Sequence, residues 1–194
     1  MRVLKLDISG IPQMWISIED AARYYATGAI AYTLGDPCRQ LHGGISRRTG
    51  LRSVLDIHPI MAVRGSSMAE RLLRSSPRLT RLNHKLFRRD CNLCAYCGQR
   101  FEDDGLEREH ILPLSRGGSD SWMNVVTACR ACNQFKAGRT PEEAGMPLLY
   151  LPYVPSRWED LILQARSGHI LGDQMSFLLA GLPAGSRLIE RPTC

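Results

Sequence analysis

Residues 107–118 read "EREHILPLSRGG" and lie between two Cys-x-x-Cys pairs, Cys94 with Cys97 in "CAYCG" and Cys129 with Cys132 in "CRACN". Two thiolates three positions apart can grip one tetrahedral ion from a tight turn or a helix start. Two such grips complete a four-cysteine structural site for Zn²⁺. The 31 residues between the pairs exceed the loop of a short zinc ribbon, so the clamp encloses a structured insert. Gly98 directly after the second cysteine supplies the positive φ that a knuckle needs for its amides to point at sulfur. Cys91 also stands three residues before Cys94, but "CNLCA" lacks that glycine, and Cys91 is expected to be a bystander.

A chain of 194 residues with 44% apolar side chains is long enough for one ordinary domain, or a small domain with attachments. It contains no run of eighteen apolar residues. The opening "MRVLKLDISG" places Lys5 and Asp7 where a signal peptide would be apolar. A soluble, cytoplasmic protein without a membrane partner is therefore expected. In that reducing compartment the cysteines at 38, 91, 94, 97, 129, 132 and 194 should be thiols or metal ligands rather than disulfides, Cys194 an idle one.

The formal charge is 25 − 19 = +6. Residues 64–89, "RGSSMAERLLRSSPRLTRLNHKLFRR", hold eight Lys or Arg against Glu70, which is +7 and leaves the remainder at −1. A concentrated basic segment attracts a polyanion by counterion release, and nucleic acid is the commonest such partner. The alternative is a solvated helix face.

Along the chain, "MRVLKLDIS" alternates well enough for a strand that Gly10 to Pro12 end. "SIEDAARYYATG" predicts a helix capped by Ser17 and stopped at Gly28, and "AIAYTL" a second strand. Residues 36–63 are Gly-rich and weakly periodic, with one or two further strands ending near "IHPIMAV". The basic segment, broken by "SSP" at 75–77, suggests a short helix, a turn and a lead-in to the cysteines. Beyond them, "PSRWEDLILQAR" is a helix capped by Ser156, "GDQMSFLLAGL" is another ending before Pro183, and the last dozen residues read as a loose tail. The expected organisation is a small α+β module over 1–63, a basic linker or DNA-binding segment over 64–90, a cysteine and histidine core over 91–146 and a helical extension over 147–194.

The stretch "LFRRDCNLCAYCGQRF…LEREHILPLSRGGSDSWMNVVTACRACNQFKAGRTPEEAGM", residues 86–146, resembles an HNH endonuclease of the bacterial and phage type that braces its ββα-metal motif with a four-cysteine zinc. The match rests on the acid–His pair, an Asn fourteen residues after the His, a second Asn nine beyond that, both cysteine pairs and the "SRGG" turn. The resemblance implies an α+β fold around an HNH core and a metal-dependent DNA endonuclease or nickase. In it, His110 is the general base that takes a proton from the attacking water. Glu109 and Asn133 ligate a catalytic divalent ion, and Asn124 holds the loop that orients the histidine. The family more often has Asp or His where this chain has Glu109, which bears on metal preference rather than reaction class. Arg88, Arg89, Arg116, Lys136 and Arg139 are candidate phosphate contacts.

These residue types suit phosphodiester hydrolysis, which needs an activated water and charge stabilisation on the phosphoryl and leaving oxygens. A histidine of ordinary pKa is largely neutral at pH 7 and can accept a proton. A carboxylate with an amide carbonyl fits Mg²⁺ or Mn²⁺ better than zinc. If "REHILPL" is a strand, Glu109 and His110 point to opposite faces. Both could then reach one phosphate only if the strand end twists. His42, His58, His84 and His169 have no ligand-spaced partner, and Trp122 is expected to pack rather than stack on bases. The rival is a non-catalytic, zinc-stabilised nucleic-acid-binding module, which has no use for a base and two hard ligands. A protein-interaction zinc domain would leave the +7 segment unexplained. Duplex DNA is the favoured partner, and the N- or C-terminal segments are candidates to bind a protein.

Overall fold

The computed structural model describes residues 1–65, 77–165 and 170–190. The chain divides into two compact units, residues 1–75 with 165–182, and 76–164 with 183–194. Both mix strands and helices, so the chain is α+β. Among the described residues no helix is long and apolar enough to cross a membrane.

In the first unit, β1 (Val3–Leu6), β2 (Pro12–Ile16), β3 (Ile30–Leu34) and β6 (Ile60–Val63) form one sheet in the order β2-β1-β6-β3. β1 is antiparallel to β2 and parallel to β6, and β3 is antiparallel to β6. The sequence does not predict β2, because Pro12 opens it. Proline is tolerated there because β2 lies at the sheet edge, where a missing N–H costs no ladder bond. Helix α1 (Ile18–Ala26) begins as predicted, with Ser17 Oγ accepting from the Asp20 amide at 3.0 Å, and Gly28 follows its end at φ 64°. Val3, Ile16, Ala21, Ile57, Met61 and Val63 form the core.

Residues 36–63 contain three strands rather than one or two. β4 (Arg39–Ile45) and β5 (Arg52–Ile57) make a separate two-stranded ribbon before β6. A later helix, α6 (Gly172–Ala180), belongs to this unit. The fully buried Gln174 donates to the carbonyls of Arg2 and Pro59, both at 2.8 Å.

In the second unit, α2 (His84–Arg89) leads into a hairpin of β7 (Leu106–His110) and β8 (Val125–Cys129), which runs directly into α3 (Arg130–Lys136). That is the expected ββα order. Leu86, Phe87, Leu106, Trp122 and Val125 pack as its core, so Trp122 is a packing residue, its indole N–H donating to the Pro77 carbonyl at 2.7 Å. The short α4 (Pro141–Ala144) follows. Helix α5 (Arg157–Gln164) begins where predicted: the Ser156 amide donates to Glu159 at 2.6 Å, and Ser156 Oγ accepts from the Glu159 amide at 3.2 Å. The loose tail is corrected in part. Residues Arg187–Glu190 form α7, Leu188 is buried, and Ser186 Oγ donates to the buried Glu159 at 2.6 Å. The predicted helix in the basic segment, His169 and Cys194 lie outside the described residues.

Candidate metal clamp and histidine site

The clamp forms from two local structures. Leu93 bridges Arg100 across a tight turn in which the Cys94 amide donates to Gln99 at 2.9 Å and the Gly98 amide to Cys94 at 3.0 Å, with Gly98 at φ 71°. The Ala95 amide donates to the Thr127 carbonyl at 2.8 Å, tying this knuckle to β8. Cys129 ends β8 and caps α3, and Cys132 follows one turn later. The four sulfurs lie within 4.8 Å of one another. A tetrahedral zinc with bonds of about 2.3 Å would hold its sulfurs roughly 3.8 Å apart, so the set fits that ion.

The clustered sulfurs perturb one another. Burial pushes the Cys94 thiol up, but amides of Cys97, Cys129 and Tyr96 outweigh it and leave it below its ordinary value. Burial and the neighbouring sulfurs push Cys97 and Cys132 up, as expected for thiolates crowded without a countercharge. Cys91 lies outside the tetrad. It is disulfide-bonded, against the expectation that every cysteine stays a thiol or a ligand.

Strand β7 stops at His110, short of Pro113, and its alternation sorts the charged residues by face. Glu107 and Glu109 point one way, Arg108 and His110 the other. On the first face the buried Glu109 is ion-paired with Lys136 of α3, which is itself fully buried and also donates to the His110 carbonyl at 2.9 Å. Burial pushes the Glu109 carboxyl up and Lys136 opposes it, with a net rise. Beside this pair, Asn133 Nδ2 donates to Glu107 at 2.6 Å. The structure thus gives Glu109 a lysine partner and Asn133 a glutamate partner.

On the second face His110 Nε2 lies 3.0 Å from Asp120 Oδ1, with the imidazole side chain 17% exposed. Arg108 clamps the same carboxylate with two bonds of 2.8 and 2.9 Å, and reaches Asn83 at 3.1 Å. Burial would raise the Asp120 carboxyl, but hydrogen bonds from His110 and Arg108 pull it below the ordinary carboxylate range. Because that carboxyl is depressed in the folded state, its stabilising contribution is present above the ordinary carboxylate pKa near 3.9. It is lost as the pH falls through the depressed value.

The loop between the strands is closed by Asn124. Its Oδ1 accepts from the Leu112 amide at 2.9 Å, and its Nδ2 donates to the Leu112 and Ser119 carbonyls at 3.0 and 2.8 Å. A Cβ on Gly118 would sit 1.9 Å from the Leu112 oxygen, so the second glycine of "SRGG" has to be glycine.

Two of the five candidate phosphate contacts are corrected. Arg89 is fully buried, bound bidentately to Asp90 and donating to the carbonyls of Trp122, Val125 and Tyr153. Lys136 is fully buried on Glu109. Both cations are core pins, since neither can reach a phosphate in solvent. Arg88 is half-buried and donates to the Leu163 carbonyl at 3.1 Å. Arg116 is exposed and paired with Glu143, and Arg139 is exposed over the Phe135 ring. Asp120, Arg108 and Glu107 were not foreseen. Glu107 was legible, standing two residues from Glu109 and so on the same strand face, whereas Asp120 reads as a turn residue in "GSDS".

The buried Glu109–Lys136 pair makes a sharp stability prediction. Removing one partner of a buried pair leaves an uncompensated charge, typically at about 3–5 kcal/mol. Lys136→Met should therefore lower the urea-unfolding stability of the second unit by about that much, and adding Glu109→Leu should restore most of it. A loss under about 1 kcal/mol would show the pair to be solvent-screened.

Residues 94–149 match the HNH endonuclease family. The chain is also 38% identical over 69 residues to the CRISPR-associated endonuclease Cas9 of Campylobacter jejuni. That stretch covers 32% of this chain and 7% of that much longer protein. The hairpin, the helix and the cysteine tetrad all lie within the residues that match the HNH endonuclease family.

Proposed function

We propose that the protein is a metal-dependent DNA endonuclease or nickase, duplex DNA favoured, with His110 as the general base. The carrying observation is the His110–Asp120 contact. An imidazole that gives its Nε2–H to a carboxylate keeps the Nδ1 lone pair for a water, and the carboxylate fixes the ring against rotation. Asp120 is here a positioning residue, itself held by Arg108. Asn124 fixes the span that carries Asp120 relative to the end of β7.

Glu109 and Asn133 would hold the divalent ion from the face of β7 opposite to His110, so a shared phosphate would have to lie across the end of the strand, which stops at His110. Asn133 spends its amide nitrogen on Glu107, which leaves the amide oxygen for a hard cation such as Mg²⁺ or Mn²⁺. When bound, such an ion supplies charge stabilisation to the phosphoryl and leaving oxygens. Lys136 occupies one oxygen of Glu109, so it competes with a metal for that ligand. That engagement is also the one observation favouring the rival, a zinc-stabilised nucleic-acid binder without turnover. We assign the activity to the cytoplasm, where the tetrad's sulfurs stay free for metal, although the Cys91 disulfide would be open to reduction there.

The test is cutting of supercoiled plasmid by zinc-loaded protein with Mg²⁺, with Mn²⁺ and with neither. Nicked or linear product only with the added ion supports the endonuclease. Intact plasmid at every metal, together with retained DNA binding, would establish the binder instead.

A further inference from the structure

Between Asp36 and Asp56 the chain carries Arg39, Arg47, Arg48 and Arg52 with no acidic residue. All four lie on the β4–β5 ribbon or its connecting turn, and all four are exposed. Among the described residues none of them is in an ion pair. Two cations of the basic segment are instead buried in ion pairs, Lys85 against Asp160 and Arg89 against Asp90.

The ribbon is built to project. Leu41, opposite Leu55, packs against the core of the first unit, and Ile57 is buried. Every residue from His42 to Val54 is exposed, so this half of the ribbon is covered on neither side. Arg47 stands six positions beyond Leu41, a reach of roughly 20 Å at about 3.3 Å per residue. The pairing register shifts between His42 and Ile45, across Gly43 and Gly44. A bulge there increases twist and bends the ribbon. A Cβ on Gly43 would meet Ser53 Oγ at 2.2 Å, whereas Gly44 has open space around it. Arg52 Nε donates to the Gly43 carbonyl at 3.1 Å, and the tip turn is closed by the Ser46 amide on Leu51 at 2.8 Å, with Gly50 at φ 68°. Ile45 and Leu51, each 71% exposed, stand on either side of the arginine tip.

A two-stranded ribbon left bare is marginal in water, and one with uncompensated arginines at its tip is complementary to a polyanion. A major groove about 12 Å wide admits such a ribbon. We propose that the β4–β5 hairpin is a second nucleic-acid contact, an arm that lays Arg47, Arg48 and Arg52 on the sugar-phosphate backbone of a duplex. Its choice of ligand rests on the nucleic-acid reading of the HNH domain, but binding by the arm needs no catalysis. The bare strands and the apolar pair beside the arginines would otherwise suit a second copy of this chain, and the test distinguishes the two.

The test measures binding of the full zinc-loaded chain to a fluorescein-labelled duplex by anisotropy across a KCl series, with no Mg²⁺ or Mn²⁺ added. Each phosphate contact contributes about 0.9 to the slope of log affinity against log salt. Arg47→Gln with Arg48→Gln should therefore flatten that slope by about 2 and weaken low-salt binding about tenfold or more. Arg23→Gln, which removes an exposed charge from α1, should leave the slope unchanged. The two arginines lie in an exposed turn, so an unchanged melting profile and zinc content are the control for folding. An unchanged slope in the double variant overturns the arm. So does a shift in the chain's sedimentation mass with DNA binding intact, which would make the ribbon a self-association surface. A wild-type chain that binds with the arginine-dependent slope yet never cuts plasmid with Mg²⁺ or Mn²⁺ sinks the endonuclease and leaves the arm standing.

Discussion

His110→Ala is expected to lower metal-dependent DNA cutting by about 10²–10⁴-fold, the range that a positioned general base supplies, while zinc content and duplex affinity stay at wild-type values. The size of the loss follows from what the side chain does. His110 is the last residue of β7, its backbone is fixed by pairing with Val125, and its carbonyl accepts from Lys136. The substitution therefore leaves the hairpin pairing in place and removes the imidazole, which is the proposed proton acceptor, together with its contact to Asp120. A variant that cuts at the wild-type rate would remove His110 from the mechanism altogether. Asp120→Asn probes the same base through its support. It keeps the shape of the side chain but removes the anion that Arg108 and His110 share. A loosened imidazole should cost on the order of 10²-fold in kcat with KM unchanged, and Asp120→Glu should recover part of it. Equal losses in kcat for both Asp120 variants, with a lowered melting point, would make the contact structural.

The parts of the domain that a reader of the sequence can locate are those whose chemistry is local. The cysteine spacing, the knuckle glycine at 98 and the caps at Ser17 and Ser156 are each decided within four residues, and each is found where expected. What could not be read depends on partners distant in the chain. Arg89 and Lys136 look like surface cations because lysine and arginine are rarely fully buried unless paired. Lys136 finds its counterion 27 residues away, and Arg89, although beside Asp90, spends its remaining donors on carbonyls 33 to 64 residues away. Asp120 meets His110 only because the loop folds back through Asn124. Strands β4 and β5 are only weakly marked in the sequence for a different reason. Their distal halves face solvent on both sides, so no apolar alternation marks them.

Replacing Cys129 should have the largest effect on stability, because the residue joins strand β8, helix α3 and the sulfur tetrad. It pairs with Leu106 as the last residue of β8, caps α3, and contributes a buried sulfur to the tetrad. Structural zinc in small domains carries an apparent binding free energy of about 10–16 kcal/mol. That matches or exceeds the roughly 5–15 kcal/mol by which a whole domain is stable. Cys129→Ser should therefore abolish stoichiometric zinc binding and eliminate the cooperative unfolding transition of the second unit. Asn133 and Lys136 on α3 would then lose their fixed distance from Glu107 and Glu109 on β7. The first unit has a core of its own around Val3, Ile16, Ile57 and Met61, and should keep a separate transition. Calorimetry with metal analysis reads both effects at once. Cys38→Ser, at a half-buried thiol that donates to the Ile57 carbonyl, is the matched control and should leave zinc stoichiometry unchanged. If Cys129→Ser kept one zinc per chain and both transitions, the four sulfurs would not be the brace on which the histidine site is built.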